Sequence, residues 1–217
     1  MRFIGFMRLT RKNKNVLNSL NVLNSLNDMH GLIITAHPSS HGFTHAIAER
    51  YRETKERNGH TVEILNLYTT ELKMGYLYYE EKADMKNPNP VRDAIQAKIA
   101  IADELVLVFP VWHVNMPAVL KNFFDTIFTS GFAYRYTKGR FFPQKLLRGK
   151  TAKVFCTCDQ IGFLYWLIGN PLRVILQIGV FGWCGIKVRK YVVFDQMRKR
   201  SPEECQKMLE KVQKIAE

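Results

Sequence analysis

Three short stretches hold the side chains with which this chain could do chemistry. "HPSSHGFT" (37–44) offers the Ser39, Ser40 and Thr44 hydroxyls, the imidazoles of His37 and His41, and a flexible Gly42 ahead of a helical pattern. Hydroxyls and the free N–H groups of a helix start attract phosphate, and the loop has no Lys or Arg to assist. "PVWHVNMP" (110–117) places Trp112 and His113 where an apolar run ends, which suits one wall and one edge of a planar ligand. The competing reading of Trp112 is buried mass in the core. "CTCDQIGFLYW" (156–166) brings Cys158, Asp159 and Tyr165. None of the three matches the Walker spacing or GxGxxG.

Loops become a site only when elements bring them together, and here two periodicities alternate. "GLIITA" (31–36), "TVEILNL" (61–67), "ELVLVFP" (104–110), "TAKVFCTC" (151–158) and "KVRKYVVF" (187–194) read as strands. "THAIAERYRETKERNG" (44–59) has Ile47 and Tyr51 on one face, Thr44 as N-cap and Gly59 as stop. Helices follow at 91–103, 116–129 and about 164–180, and Ser201, Pro202 and Glu204 open a capping box for a last one.

Five βα units imply a doubly wound parallel sheet with helices on both faces. Unbroken apolar runs make strands one and three central, while Glu63 and Asn66 mark an edge. In such sheets ligands bind beyond the strands' carboxyl ends, where the order reverses. The loops nominated are 37–44, 110–116 and 158–166.

With 217 residues and an ordinary apolar fraction, one domain is expected. The net charge of +13 suits phosphate-bearing partners. Its modest clusters, such as Arg135 to Arg140 and Lys187 to Lys190, lack the aromatic-basic array of single-strand binders, so nucleic acid is not expected. Cys156, Cys158, Cys184 and Cys205 form no CxxC or zinc spacing, which argues for a reducing, cytoplasmic setting and no metal. The apolar stretch 161–186 is interrupted by Asn170, Pro171, Arg173 and Gln177 and reads as core and interface surface, not a span. Residues 1–28 carry a basic run and VLNSLN twice, either an unstructured extension or sequence upstream of a true start at Met29.

Four stretches, "TAHPSSHGFTHAI", "FPVWHVNMPAVLKNFFD", "SGFAYRYTKG" and "GWCGIKV", together resemble the flavodoxin-like NAD(P)H:quinone oxidoreductases over residues 29–217. That family includes short bacterial enzymes and ancillary proteins of potassium-efflux transporters. The resemblance implies a flavodoxin-like five-stranded sheet of order 2-1-3-4-5. It also implies a homodimer with tightly but non-covalently bound FMN or FAD, NAD(P)H as co-substrate and a quinone acceptor, turning over by a ping-pong scheme.

Carried over by position, His37, Ser39, Phe43 and Thr44 surround the cofactor phosphate and ribityl, and Pro110, Val111, Trp112, His113 and Val114 line the isoalloxazine. Thr157, Cys158 and Asp159 flank its pyrimidine edge. Tyr165 and His113 are the catalytic candidates, with Tyr165 and the amides at 157–160 set to stabilise charge at the N1–O2 edge. An Asp159 carboxylate beside N1 opposes reduction, whereas one at N3–H anchors the ring. Tyr134 and Tyr136 either reach substrate across a subunit interface or pack amphipathically on the surface. Arg135, Lys138 and Arg140 either read a 2′-phosphate or form a solvated basic loop.

Three departures stand out: Gly42 where the family usually has Ser, His113 where an aromatic is usual, and "CTCDQIGFLYW" in place of a Gly-rich turn. The alternative to a free enzyme is a flavin-binding ancillary subunit docked on a transporter, peripheral at the inner face of the membrane. An electron carrier of the flavodoxin type fits poorly, because such carriers are usually acidic.

Overall fold

The structure is a computed structural model that describes residues 28–69, 75–81 and 87–217. The VLNSLN repeats and the basic run before them lie outside the described residues. The first strand starts at His30, one residue earlier than the sequence suggests, and just ahead of it the Met29 carbonyl and the Asp28 carboxylate both accept the Thr61 amide at 3.1 Å.

Among the described residues seven strands are formed: β1 (His30–Thr35), β2 (Thr61–Asn66), β3 (Glu104–Pro110), β4 (Tyr134–Arg135), β5 (Gln144–Lys145), β6 (Thr151–Thr157) and β7 (Lys187–Phe194). Five of them make one parallel sheet of order β2-β1-β3-β6-β7, which is the expected doubly wound flavodoxin-like arrangement with β2 at an edge. The antiparallel pair β4–β5 was not foreseen; two residues per strand leave no periodicity to read.

Helices cover both faces because alternate strand residues point to opposite sides. Leu32, Ile34, Leu105, Leu107 and Phe109 face α2 (Pro90–Ile101) and α3 (Ala118–Ile127). Ile33, Val106, Val108 and Phe155 face α1 (Phe43–Arg57) and the C-terminal α6 (Pro202–Ala216). All seven residues of β3 are buried. At roughly 1.5–3 kcal/mol per buried large apolar side chain, this central strand anchors the sheet.

The expected fourth helix is broken in two. α4 (Gly162–Leu167) stops before Gly169 and Asn170, both at positive φ, and α5 (Pro171–Val174) then continues as π-helix over Ile175–Gly182. A Cβ at Gly182 would stand 2.6 Å from the Gln177 carbonyl oxygen, so the wide turn needs glycine there. The Ser201 capping box forms as expected: the Glu204 amide donates to Ser201 Oγ, and the Ser201 amide to the Glu204 carboxylate.

Candidate functional site

The sheet register brings three loops to one end. The Ala36 amide donates to Val108 at 3.1 Å, that of Val111 to Thr157 at 2.8 Å and that of Cys158 to Phe194 at 2.9 Å, so the chain leaves β1, β3 and β6 side by side. His37, Ser39, Phe43 and Thr44, then Pro110 to Val114, then Thr157, Cys158 and Asp159 follow directly from these ends.

In the first loop the Ser39 amide donates to His37 Nδ1 at 3.0 Å, and the His41 amide to Ser39 Oγ at 3.3 Å. Those two side chains thus shape the loop. α1 begins at Phe43, with Gly42 and not Thr44 as N-cap; Thr44 is buried, no side chain caps the helix, and its first turn holds no acid. The His45 amide donates to the Gly42 carbonyl at 2.9 Å, while the Phe43 and Thr44 amides have no partner among the described residues and leave an anion-binding helix start. Thr35 Oγ1 at the end of β1 and His45 Nε2 in the first turn of α1, one on each side of this loop, are buried polar atoms without a hydrogen-bond partner among the described residues.

Gly42 has a local reason. A Cβ there would lie 2.8 Å from His37 Cε1. Gly42→Ser is therefore expected to lower stability by about 1 kcal/mol through overpacking, more than the few tenths that a Ser cap returns. In a His37→Ala background the same change should be neutral or stabilising. Urea unfolding of the four proteins tests this, and additive effects would refute the contact.

The second loop is a tight reversal. Trp112 and Asn115 exchange both backbone hydrogen bonds, at 2.9 and 2.8 Å, and Asn115 Oδ1 accepts the Met116 amide at 2.8 Å. Between them His113 and Val114 sit at φ 49 and 63, a left-handed pair that non-glycine residues enter at about 1–3 kcal/mol each. Their amides bond to nothing among the described residues and, like the indole of Trp112 (42% exposed), remain open to a ligand. The core reading of Trp112 is overturned by that exposure.

The third loop is braced from β7. Asp159 accepts the Arg198 amide at 3.1 Å and pairs with its exposed guanidinium at 2.9 Å, which braces the loop. Asp195 accepts the Gly162 amide at 2.8 Å and pairs with Arg200. Burial pushes Asp195 up, but the Gly162 amide and Arg200 outweigh it and hold the carboxyl below its usual range. These braces join residues more than 30 apart and left no sequence signal.

Tyr165 is buried beside Cys158. Burial, then the nearby thiol of Cys158, pushes its hydroxyl up to about 12, so it stays a neutral donor at any working pH. Burial and Asp195 push Cys158 up to about 11, which makes it a thiol and not a nucleophile.

Tyr134 and Tyr136 are not brought to these loops. β4–β5 lies at the opposite end of the sheet: the Leu146 amide donates to Ala133, and that of Leu147 to Cys184, just ahead of β6 and β7. Tyr134 there lines a cavity of about 550 Å³ with Phe124, Phe128 and Trp183. Any part these tyrosines take in the site requires a second copy of the chain. Among the described residues, no three His, Cys, Asp or Glu side chains converge as metal ligands.

The model of the flavodoxin-like fold family matches residues 29–216. A NAD(P)H oxidoreductase of Haemophilus influenzae is 32% identical over 76% of this chain and 83% of its own length. An FMN-dependent NADH:quinone oxidoreductase of Listeria innocua is 32% identical over 46% of this chain, which spans about half (54%) of that relative. The crystal structure of Smu.1420 from Streptococcus mutans superposes with a TM-score of 0.76 at 28% identity, over 87% of this chain and 98% of that one.

Proposed function

The chain belongs to the flavodoxin-like NAD(P)H:quinone oxidoreductase family, and from that premise we propose that it binds a flavin where β1, β3 and β6 end and passes two electrons from NAD(P)H to a quinone. The observation that carries this reading is the Trp112–Asn115 reversal, with its open indole and unpaired amides, beside the uncapped start of α1. The name of the Listeria relative favours FMN over FAD.

The residues present fit such a group. An uncapped helix start takes a phosphate without a cation, and the orphaned Thr35 Oγ1 and His45 Nε2 flank the same loop. Trp112 supplies a stacking wall, and the amides of His113, Val114, Asp159 and Gln160 are donors for a heterocycle's edge. When bound, a flavin supplies a two-electron store that hydride from the nicotinamide fills and an acceptor empties.

The chain's own task is positioning and electrostatics. Fixed amides stabilise negative charge that grows at the edge they face, and the buried Tyr165 hydroxyl adds a neutral donor there. One open face serves NAD(P)H and acceptor in turn, which predicts ping-pong kinetics. Tyr134 and Tyr136 of a second copy close that face in a homodimer.

The visible spectrum of the purified protein and the mass of its released chromophore test the assignment. Folded protein that stays colourless after addition of FMN or FAD overturns it. Tyr165→Phe is expected to slow reduction by NAD(P)H about three- to tenfold, the worth of one neutral hydrogen bond, with flavin content unchanged. Stopped-flow rates equal to wild type would remove Tyr165 from the mechanism.

A further inference from the structure

The connection from β1 into α1 is poor in fixed positive charge and rich in titratable rings. Between Ile33 and Glu49 the chain has no Lys or Arg, yet three of its six histidines stand there, His37, His41 and His45. A helix start offers partial charges, whereas a phosphomonoester brings about −1.5 to −2 near neutral pH. Imidazole is the one side chain in this stretch that can meet such an anion with a full charge.

The three rings are not equivalent. His41 is exposed and joins the loop through its backbone amide. His37 Nδ1 accepts the Ser39 amide at 3.0 Å, which sets its neutral tautomer with the proton on Nε2. Charging His37 would give up that amide for the Ser39 carbonyl, 3.1 Å from the same nitrogen. Charging His45 gives up nothing: its Nε2 is covered and has no hydrogen-bond partner among the described residues, although the ring as a whole is partly exposed. The His37 and His45 rings meet edge to face with 6.2 Å between centroids, so a charge on one discourages a charge on the other.

Thr35 adds a second orphan on the same side of the sheet. Strand alternation puts it with Ile33 on the face that α1 covers, and its Oγ1 is buried without a partner among the described residues. A hydroxyl can accept from an imidazolium and donate to a phosphate oxygen. Neither ring is paired with a carboxylate among the described residues. The carboxylates of the surrounding elements are matched elsewhere: Glu49 with Arg52 on α1, Glu63 of β2 with Lys98, Glu104 of β3 with Lys153, Asp159 of the third loop with Arg198, and Asp195 and Glu204 with Arg200. The second loop brings His113, and α6 brings Lys207 and Lys211, which line a groove with Phe194, the ring on which Phe43 packs. The anion that would pair with a charged His45 has to come from outside the chain.

We propose that His45 is the counter-charge of the flavin phosphate: it takes up a proton when the phosphate enters the loop, and its Nε2 donates to a phosphate oxygen while His37 stays neutral and shapes the loop. A turn about χ2, a broad torsion for imidazole, presents the covered nitrogen. This rests on the proposed flavin site and adds to it a dependence of cofactor affinity on pH. The charged ring is stabilised only in the complex, so the added affinity is present in mild acid and is lost as pH rises beyond the ordinary imidazole value of about 6.5.

Fluorescence titration of the flavin-free full chain with FMN and with riboflavin, at about pH 7 to 8.5, tests this. Affinity for FMN should fall about five- to tenfold across that range, since one linked proton allows at most about tenfold per pH unit. Riboflavin lacks the phosphate and should bind equally throughout. Calorimetry of FMN binding to wild type near pH 7.5, in two buffers of different ionisation enthalpy, should register uptake of about half a proton or more. His45→Gln should flatten the FMN profile and bind FMN about tenfold more weakly near pH 7, with riboflavin affinity unchanged. His41→Gln, at the exposed ring, should keep the wild-type profile. A flat FMN profile in wild type, binding without proton uptake, or a slope that survives His45→Gln but not His41→Gln overturns the proposal. Those outcomes leave the flavin site standing as long as riboflavin and FMN bind. Failure of both flavins to bind at every pH overturns the two together.

Discussion

Glu104→Gln is expected to destabilise the domain by about 3–5 kcal/mol, the usual consequence of removing one partner of a buried ion pair. Glu104 is the first residue of β3 and is buried; it accepts the Tyr51 hydroxyl and pairs with Lys153 at 3.2 Å. Lys153 also donates to Tyr51 Oη at 2.7 Å and to the Ile215 carbonyl at 2.9 Å, so the group ties α1, β3, β6 and α6 together at the end of the sheet away from the site. Lys55 is buried within its field: burial first, then Lys153, holds that lysine below its ordinary range, while Glu104 pulls it back up.

One carboxylate therefore compensates two cations, and glutamine leaves both uncompensated. The sign for Lys55 runs opposite to that of an ion pair. Its folded pKa is depressed, so its penalty is fully present below that value and fades as pH rises toward the unfolded value of 10.5. Urea unfolding near neutral pH checks the prediction, and a loss under about 1 kcal/mol would show that water already relieves the site. Glu104→Leu with Lys153→Met should recover only part of the loss: replacing both members with apolar groups of similar volume is often neutral, but Lys55 and the Tyr51 hydroxyl still lose the carboxylate.

The two central strands and the β2 edge were legible because burial writes itself into composition, while the strand order came from the family resemblance. β1 and β3 are unbroken apolar runs, whereas β2 alternates with Glu63 and Asn66, and the Ser201 capping box is local chemistry that the sequence states outright. What escaped was decided at long range or by geometry. The helix after β6 breaks at Asn170 and widens around Gly182, a matter of close backbone approach that periodicity does not register. Thr44 looked like the cap, yet the helix starts a residue earlier and buries it. The three site loops were nominated correctly as neighbours, but the pairing of Asp159 with Arg198 depends on a turn 39 residues away. The reversal at Trp112–Asn115 carries none of the Asn-Gly signals that announce left-handed turns.

That reversal is the basis of the second large effect: Trp112→Ala is expected to weaken flavin binding about 10- to 100-fold, with at most about 1 kcal/mol lost in the unfolding of the flavin-free protein. Stacking of a planar heterocycle on an aromatic side chain is worth about 1–3 kcal/mol by alanine substitution. An indole that is 42% exposed gives the core little in return. The turn itself is held by the two Trp112–Asn115 backbone bonds and by Asn115 Oδ1, none of which uses the indole, so the unpaired amides of His113 and Val114 stay where they are. Trp112→Phe should keep most of the affinity. Val114→Gly relieves a β-branched residue of φ 63, so it should raise stability while leaving affinity near wild type. Fluorescence titration with FMN, beside thermal unfolding of the flavin-free proteins, separates the two quantities. Equal affinity in Trp112→Ala and wild type would mean that the indole is open for some purpose other than a flavin wall.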